Sequence, residues 1–288
     1  MDRFIKREMD FSGIVPFHMQ ITYSEIDRFS PDNQHDSHVH PECEIYINLT
    51  GDVSFMVERH IYPVMSGSVI LSRPYEYHHC IYHSDEPHKH FWILFSSVGN
   101  EAFFPKFFQR DRGQGNLLIL TAERRKEIIA LCHSMIKESM TDVERYAGFF
   151  RMMAILEGAN TFLPHQENGS DAVASALAII EEKFADPLSV ETLAEAVHLS
   201  VNTLERHFSK VLHMSPSVYL KKKRLANAAM LLYEGYSVGE ACWKSGFSDY
   251  SHFIATFKTH YSMTPLQYKK TVRGSTEQLP KKGGNAWM

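Results

Sequence analysis

Histidine is where reactive chemistry first concentrates in this chain: 12 of its 17 histidines precede Gly169. His38 and His40 are two apart, so a strand would carry both on one face, and Glu44 keeps the same parity if the strand runs on. Gly51 follows seven residues after Glu44, and Gly67, Pro74 and then His79 come later. Three imidazoles and a carboxylate suit a first-row transition metal, which makes His38, His40, Glu44 and His79 a candidate metal set. The plainer reading is that these polar groups hydrogen-bond an organic ligand or one another, with no metal and no other cofactor. Tyr46 and Trp92, together with Tyr75 and Tyr77, offer aromatic faces on which the apolar side of a sugar ring stacks, although most strand aromatics are simply core. His83, His88 and His90 are expected at the surface or in loops.

A second set of residues lies between Leu188 and Pro265, where one pattern is written twice. The first copy runs from Ser189 through Ala194 and His198 to Ser200, then Leu204, Phe208, Met214-Ser215-Pro216 and Tyr219. The second runs from Ser237 through Cys242 to Gly246-Phe247-Ser248-Asp249, then Phe253, Phe257-Lys258, Met263-Thr264-Pro265 and Tyr268. The offset is 48 from Val190 to Val238 and 49 from Leu204 to Phe253, so one residue is added at the turn. Each copy reads as a short helix, a turn and a second helix capped by Ser200 or Asp249. Leu204, Phe208 and Leu212, and likewise Phe253, Phe257 and Tyr261, turn one helix face inward and leave the other free. In a helix-turn-helix the free N-terminal part of the second helix meets base edges. That selects Asn202, Thr203, Glu205, Arg206 and Lys210, of which Asn and Arg suit adenine and guanine edges. The second copy offers Asp249, Tyr250, Ser251 and His252, a chemically poorer set, with Lys258 further along. Between the copies, the run Lys221-Lys222-Lys223-Arg224 is a candidate for phosphate contact. The bland alternative, two ordinary αα-hairpins, loses ground because the pattern occurs in tandem.

Positioning these groups requires two kinds of element. Up to about Val98 the chain reads as short strands, seen in the alternation of Glu44 to Leu49, Val53 to Val57, Ser68 to Leu71 and Phe91 to Phe95. Turn signals at Gly51-Asp52, Pro63, Gly67 and Arg73-Pro74 separate them, and the spacing suggests a small barrel or double-sheet roll. Asn100 to Gly115 reads as an aromatic, basic loop. Helices are expected over Ala122 to Met140 and Val143 to Phe162, free either to pack on the barrel or to pair with a second copy of the chain. Pro164 to Ser170 is the expected linker. Beyond it come a helix over Asp171 to Phe184 and, between the two repeats, a connecting helix over Ser217 to Tyr233.

The stretch Leu188 to Lys270 resembles the DNA-binding domain of the AraC-type transcription regulators, on the strength of the Gly-Phe-Ser-Asp run at Gly246, Phe253, Phe257-Lys258 and the Met-Thr-Pro-x-x-Tyr ending at Met263. It departs from the family where a glycine usually precedes Met-Ser/Thr-Pro, since His213 and Ser262 stand there, and at Ala255, where an arginine is common. The order His38-x-His40-x-x-x-Glu44, Gly51, then Gly67, Pro74, His79 resembles the cupin barrel, with departures at Glu76 and His83. These resemblances imply an α+β multidomain protein: a cupin-like β-barrel with two helices, then an all-α domain with two helix-turn-helix motifs. The implied boundaries are 1–163 for effector binding and dimerisation, 164–170 for the linker, 171–273 for DNA binding and 274–288 for a disordered tail. The implied partners are double-stranded DNA, RNA polymerase, a second copy of the chain and a small effector, a sugar or sugar derivative, held by His38, His40, Glu44, His79, Tyr46 and Trp92. Transcriptional activation would be the outcome.

Composition agrees with such a division of labour. From Asp171 onward there are 14 Lys+Arg against 11 Asp+Glu, a net of +3, whereas the preceding part has 16 against 23, a net of −7. A basic half suits phosphate, though +3 is modest evidence. Four cysteines, Cys43, Cys80, Cys132 and Cys242, are scattered without the spacing of a disulfide framework or a zinc finger. With no long apolar run or leader at its start, the chain is expected in the cytoplasm, away from membranes. The competing function is a metal-dependent cupin oxygenase or isomerase with an appended helical domain. Regulation rather than catalysis is the expectation taken forward.

Overall fold

A computed structural model describes residues 3–10, 18–26, 39–84, 86–97, 101–162 and 172–277. The first half builds two facing sheets. The strands are β1 (Arg3–Asp10), β2 (His18–Ile26), β3 (Cys43–Thr50), β4 (Val53–Val57), β5 (His60–Val64), β6 (Val69–Ser72), β7 (His78–Tyr82), β8 (His88–Phe95), β9 (Leu117–Ile119) and β10 (Asn160–Thr161). Among the described residues the larger sheet has the order β1-β2-β8-β3-β6-β9-β10 and the smaller β5-β4-β7. The four strands read from alternation are present; β1, β2, β5, β7, β9 and β10 join them.

Pleating decides what each face does. On β2, β8 and β3 the residues Met19, Ile21, Ile93, Phe95, Cys43, Ile45 and Ile47 have no exposure, and Ile93 lies opposite both Ile21 and Ile45. This outer face packs on two helices, α2 (Ala122–Met135) and α3 (Asp142–Glu157), through Ile128, Cys132, Met135, Phe149, Met152 and Leu156. Burying each such side chain contributes about 1.5–3 kcal/mol. The helices therefore cover the barrel, the first of the two arrangements left open above. A short helix, α1 (Pro105–Phe108), adds Phe107 to the same core.

Both helices end earlier than their apolar patterns imply. The Arg145 guanidinium donates to the carbonyls of Met135 and Lys137 at 2.9 and 2.6 Å, which closes α2 at its last turn. Gly158 caps α3, after which Asn160 and Thr161 pair with β9 and send Phe162 into the inner cluster around Tyr62.

The second half is helical: α4 (Ala172–Lys183), α5 (Val190–Ala196), α6 (Val201–Leu212), α7 (Pro216–Glu234), α8 (Val238–Lys244), α9 (Tyr250–Tyr261) and α10 (Pro265–Glu277). The starts follow from side-chain caps: Ser189, Ser200, Ser215, Ser237 and Asp249 each accept a backbone N–H three residues on. Ala194 and Cys242 are buried, allowing close crossings within each helix pair. His213 and Ser262 end α6 and α9 with φ of 54° and 58°, the left-handed conformation that glycine adopts without strain. Gly246 has φ of 79°, and a Cβ there would stand 2.8 Å from the carbonyl oxygens of both Phe184 and Ala185, so no other residue fits this turn. The expected linker, 164–170, lies outside the described residues. Of the expected tail, 274–277 instead continue α10, and 278–288 lie outside the described residues.

Candidate functional site

Between the two sheets lies a cavity of about 440 Å³, bordered by Gln20, Ser24, Glu44, Tyr46, Phe55, His78, His79, Cys80, Tyr82, His90, Trp92 and Leu94 among others. Its walls are the faces of β2, β3 and β8 opposite to those that meet α2 and α3. Tyr46 and Trp92 stand on the wall where the sequence placed them.

The histidines are arranged differently from expectation. His40 precedes β3, ahead of a bend at Pro41 and Glu42, so the same-face strand argument does not apply to it; His38 lies outside the described residues. His40 Nε2 reaches Glu44 Oε2 at 3.1 Å, and the second imidazole on that oxygen belongs to His78, at 3.2 Å, instead of His79. Strand parity explains the correction: His78 shares the cavity face of β7 with Cys80 and Tyr82, and its ring stacks with Phe55 at 6.0 Å. His79 has the opposite parity and is absent from the Glu44 cluster, although it still borders the cavity; its ring meets Tyr77 edge-on at 5.7 Å.

Both imidazoles are oriented through their other nitrogen, His40 Nδ1 toward the Glu42 carbonyl at 3.1 Å and His78 Nδ1 toward the Glu76 carbonyl at 2.7 Å. Burial opposes charge on His40, yet its hydrogen bonds with Glu42 and Glu44 prevail and raise its pKa to about 9. Burial likewise opposes ionisation of Glu44, and His78 and His40 outweigh it, holding the carboxyl well below its ordinary range. His40, Glu44 and His78 place one ligand atom each within 4.8 Å of one another. With each Nδ1 committed to a carbonyl, the two Nε2 atoms and the Glu44 carboxylate fit a divalent transition metal.

His88 and His90, expected at the surface, are 2% and 3% exposed. Burial lowers their pKa values to about 4 and 3, so both are neutral. His88 donates from Nδ1 to the Thr50 carbonyl at 2.8 Å, leaving Nε2 to accept from the Tyr46 hydroxyl at 3.1 Å. The close approach depends on Gly51, where a Cβ would sit 2.7 Å from His88 Nδ1. His90 Nδ1 is buried without a hydrogen-bond partner beside the cavity. The alternation Phe91, Ile93, Phe95 contained this information, because it turns His90, Trp92 and Leu94 to the other face.

Glu76, the departure from the cupin pattern, has no exposure and accepts from Arg110 at 2.6 and 2.8 Å. It also accepts from the backbone of Arg73 and Gly113 and from Asn116. Against the cost of burial, Arg110 lowers its pKa. The 100–115 stretch, read as a loop, is thereby tied to the strand that carries His78.

On the helical half, Asn202, Glu205, Arg206 and Lys210 are exposed on α6 while Leu204, Phe208 and Leu212 are buried. Thr203 is half-buried and shares a hydrogen bond with the capping Ser200 hydroxyl at 2.8 Å. On α9, Tyr250, Ser251, His252 and Lys258 are exposed. Asp249 is exposed too, but its carboxylate is engaged by the His252 N–H at 2.8 Å. The basic run on α7 is corrected: Lys221 is exposed, whereas Lys222 and Lys223 are 8% and 7% exposed and face the interior. Arg224 donates to the Phe184 and Asp186 carbonyls.

A family model described as an AraC-like ligand binding domain matches residues 26–139, and one described as a helix-turn-helix domain matches 193–271. The chain is 28% identical over 134 residues to the HTH-type transcriptional activator RhaS of Enterobacter sp. (strain 638), covering 46% of this chain and 48% of that protein. To RhaS of Escherichia coli (strain SE11) it is 30% identical over 122 residues, 42% of this chain and 44% of that one. It thus spans about half the length of the curated relatives it matches. Among solved structures, an AraC-type transcriptional regulator from Chromobacterium violaceum is 28% identical at a TM-score of 0.34, over 39% of this chain and 95% of that one. Unsaturated fatty acid-bound ToxT from Vibrio cholerae is 13% identical at a TM-score of 0.38, over 89% of this chain and 96% of that one. The relatives are regulators and not enzymes. With a ligand-binding match over the two-sheet half and a helix-turn-helix match over the helical half, the chain belongs to the AraC-type family of transcription regulators.

Proposed function

We propose that this chain binds specific DNA sequences through α6 and α9 and activates transcription in response to a small molecule, a sugar or sugar derivative, held between the two sheets. The observation that carries the reading is the pair of helix-turn-helix units whose second helices present exposed rows, Asn202, Glu205, Arg206 and Lys210 on one and Tyr250, Ser251, His252 and Lys258 on the other. Such rows enter successive major grooves about one helical turn, ~10 bp, apart. Lys221 is available for phosphate. The α6 row is chemically richer and supplies most of the sequence discrimination.

The cavity supports the sensing half of the proposal. Glu44, His78 and His90 supply hydrogen-bonding groups, and Trp92 supplies a flat face against which the apolar side of a sugar ring packs. A divalent metal, where bound, would be held by His40, Glu44 and His78 and would polarise an effector hydroxyl; the reading does not require one. We assign effector binding and dimerisation to residues 1–163, a linker to 164–170 and DNA binding to 171–273, with RNA polymerase and a second copy as protein partners in the cytoplasm. Among the described residues no helix is long and apolar enough to cross a membrane.

Selection of fragments from a random duplex pool by the purified protein tests the proposal. Enrichment of an asymmetric site with two recognised segments ~10 bp apart is the expected result. Retention of all fragments alike would overturn it.

A further inference from the structure

The smaller sheet has the cavity on one side and the helical half on the other. On β7, His78, Cys80 and Tyr82 face the cavity, while Tyr77 meets Tyr219 of α7 edge-on at 5.6 Å. Tyr75 packs on Tyr233 at 4.9 Å, and Met56, Tyr77 and Ile81 belong to the same apolar cluster as the core of the helical half. A single strand thus separates a bound effector from α7.

Within this apolar contact sits a cluster of charges. Glu58, in the β4–β5 turn, is 3% exposed and held at φ of 52°, a costly conformation for glutamate. Its carboxylate is paired with Lys223 of α7 and, at 3.2 Å, with Arg112. Its carbonyl accepts from the Tyr219 hydroxyl at 3.1 Å, and its N–H donates to the Tyr77 carbonyl at 2.7 Å. Lys223 also reaches Glu181 of α4 at 2.7 Å. A buried ion pair of this kind adds little net attraction, because desolvation offsets the Coulomb gain, but it admits one docking geometry only. Once the halves part, water solvates the same charges, which offsets the loss of the ion pair itself.

We propose that the Glu58–Lys223 contact is an autoinhibitory latch: it holds the helical half against the outer wall of the cavity, in an arrangement that binds DNA more weakly than the released one. The sign follows from charge. Docking sets a half of net −7 directly against a half of net +3 and weakens the positive field offered to phosphate. An effector pressing on His78 or Tyr82 displaces β7 and, through Tyr77 and Glu58, loosens the latch. This rests on the DNA-binding function proposed above.

The test measures affinity of the full-length protein for a fragment that the wild type selects, at fixed salt and without small molecules, for Glu58→Gln and Lys223→Met. Direct charge effects would push the two in opposite directions, tighter for loss of an acid and weaker for loss of a lysine. Latch release tightens both, by ~5-fold or more, the lower end of allosteric coupling. Tyr219→Phe, which removes one hydroxyl and keeps the packing, should tighten binding to a smaller extent and serves if either charge variant fails to fold. Opposite shifts, or unchanged affinity in the folded variants, would overturn the latch. Failure of the wild type to select any fragment would instead sink the DNA-binding reading.

Discussion

The two halves of the molecule place their polar groups oppositely. Of the 18 buried polar or charged residues among those described, 15 lie in the two-sheet half, including Glu44, Glu58, Glu76, His78, His88, His90 and Asn116. The helical half buries only Lys222, Lys223 and Ser245 and spends its other polar side chains on helix caps and on the exposed faces of α6 and α9. An interior that carries polar groups around a cavity is built to enclose something, whereas an apolar interior with a patterned exterior is built to lie against something. The difference also predicts where each half is fragile.

Removing one member of the buried Glu76–Arg110 pair, by Glu76→Ala or Arg110→Ala, should cost about 3–5 kcal/mol in urea unfolding, because an uncompensated charge remains inside. A loss below 1 kcal/mol would show that this half tolerates buried charge as easily as the helical half tolerates surface charge.

The pH dependence should also separate the halves. The pKa of His40 is raised to about 9 from an ordinary 6.5, so its stabilisation is complete below 6.5 and is lost as pH rises through 9. The stability advantage of the wild type over His40→Asn should therefore shrink by on the order of 1–3 kcal/mol between about pH 6 and about pH 9.5. A constant difference would mean that folding leaves the His40 pKa unshifted. At the other end of the range, His88 and His90 bind protons only after unfolding, which costs stability as pH falls below 6.5 toward 4 and 3.

On the helical side, Arg206→Ala should weaken specific DNA binding by about 1–3 kcal/mol and relax one base preference while leaving the unfolding curve nearly unchanged. A large loss of stability with unaltered specificity would place Arg206 among packing residues. The smallest effect is expected at Ser262→Gly, where relief of the left-handed conformation should raise stability by ~0.5–1 kcal/mol in thermal unfolding.

The same contrast explains what could be read in the sequence. The helical half was legible because its duplicated pattern is local: caps, apolar spacing and turn glycine all act within about a dozen residues. The positions of Asn202, Arg206 and Tyr250 follow from that alone. The sheets depend on which distant strands pair, so spacing alone points to His79 where parity puts His78 on Glu44, and spacing alone leaves His88 and His90 outside although β8 turns them inward. β2 carries a clear alternation, Met19-Gln20-Ile21-Thr22-Tyr23-Ser24, that would have supplied Gln20 and Ser24 to the cavity. The pairing of Glu76 with Arg110 spans 34 residues and had no local signal beyond the unexpected carboxylate itself. Burial of Lys222 and Lys223 was hidden for the same reason, since a lysine run reads as solvated until a partner across the fold is seen.

The end of α4 has a consequence for how such a protein would measure DNA. Just past that end, the carbonyls of Phe184 and Asp186 accept from Arg224 of the connecting helix, and those of Phe184 and Ala185 stand against Gly246 of the second turn, although α4 itself lies outside the repeat. The duplicated units are thereby joined through a third element as well as through the connecting helix. If the chain reads DNA as proposed, a body so braced should sense helical phase as well as base identity: inserting ~5 bp between the two recognised segments would turn one of them to the far side of the duplex.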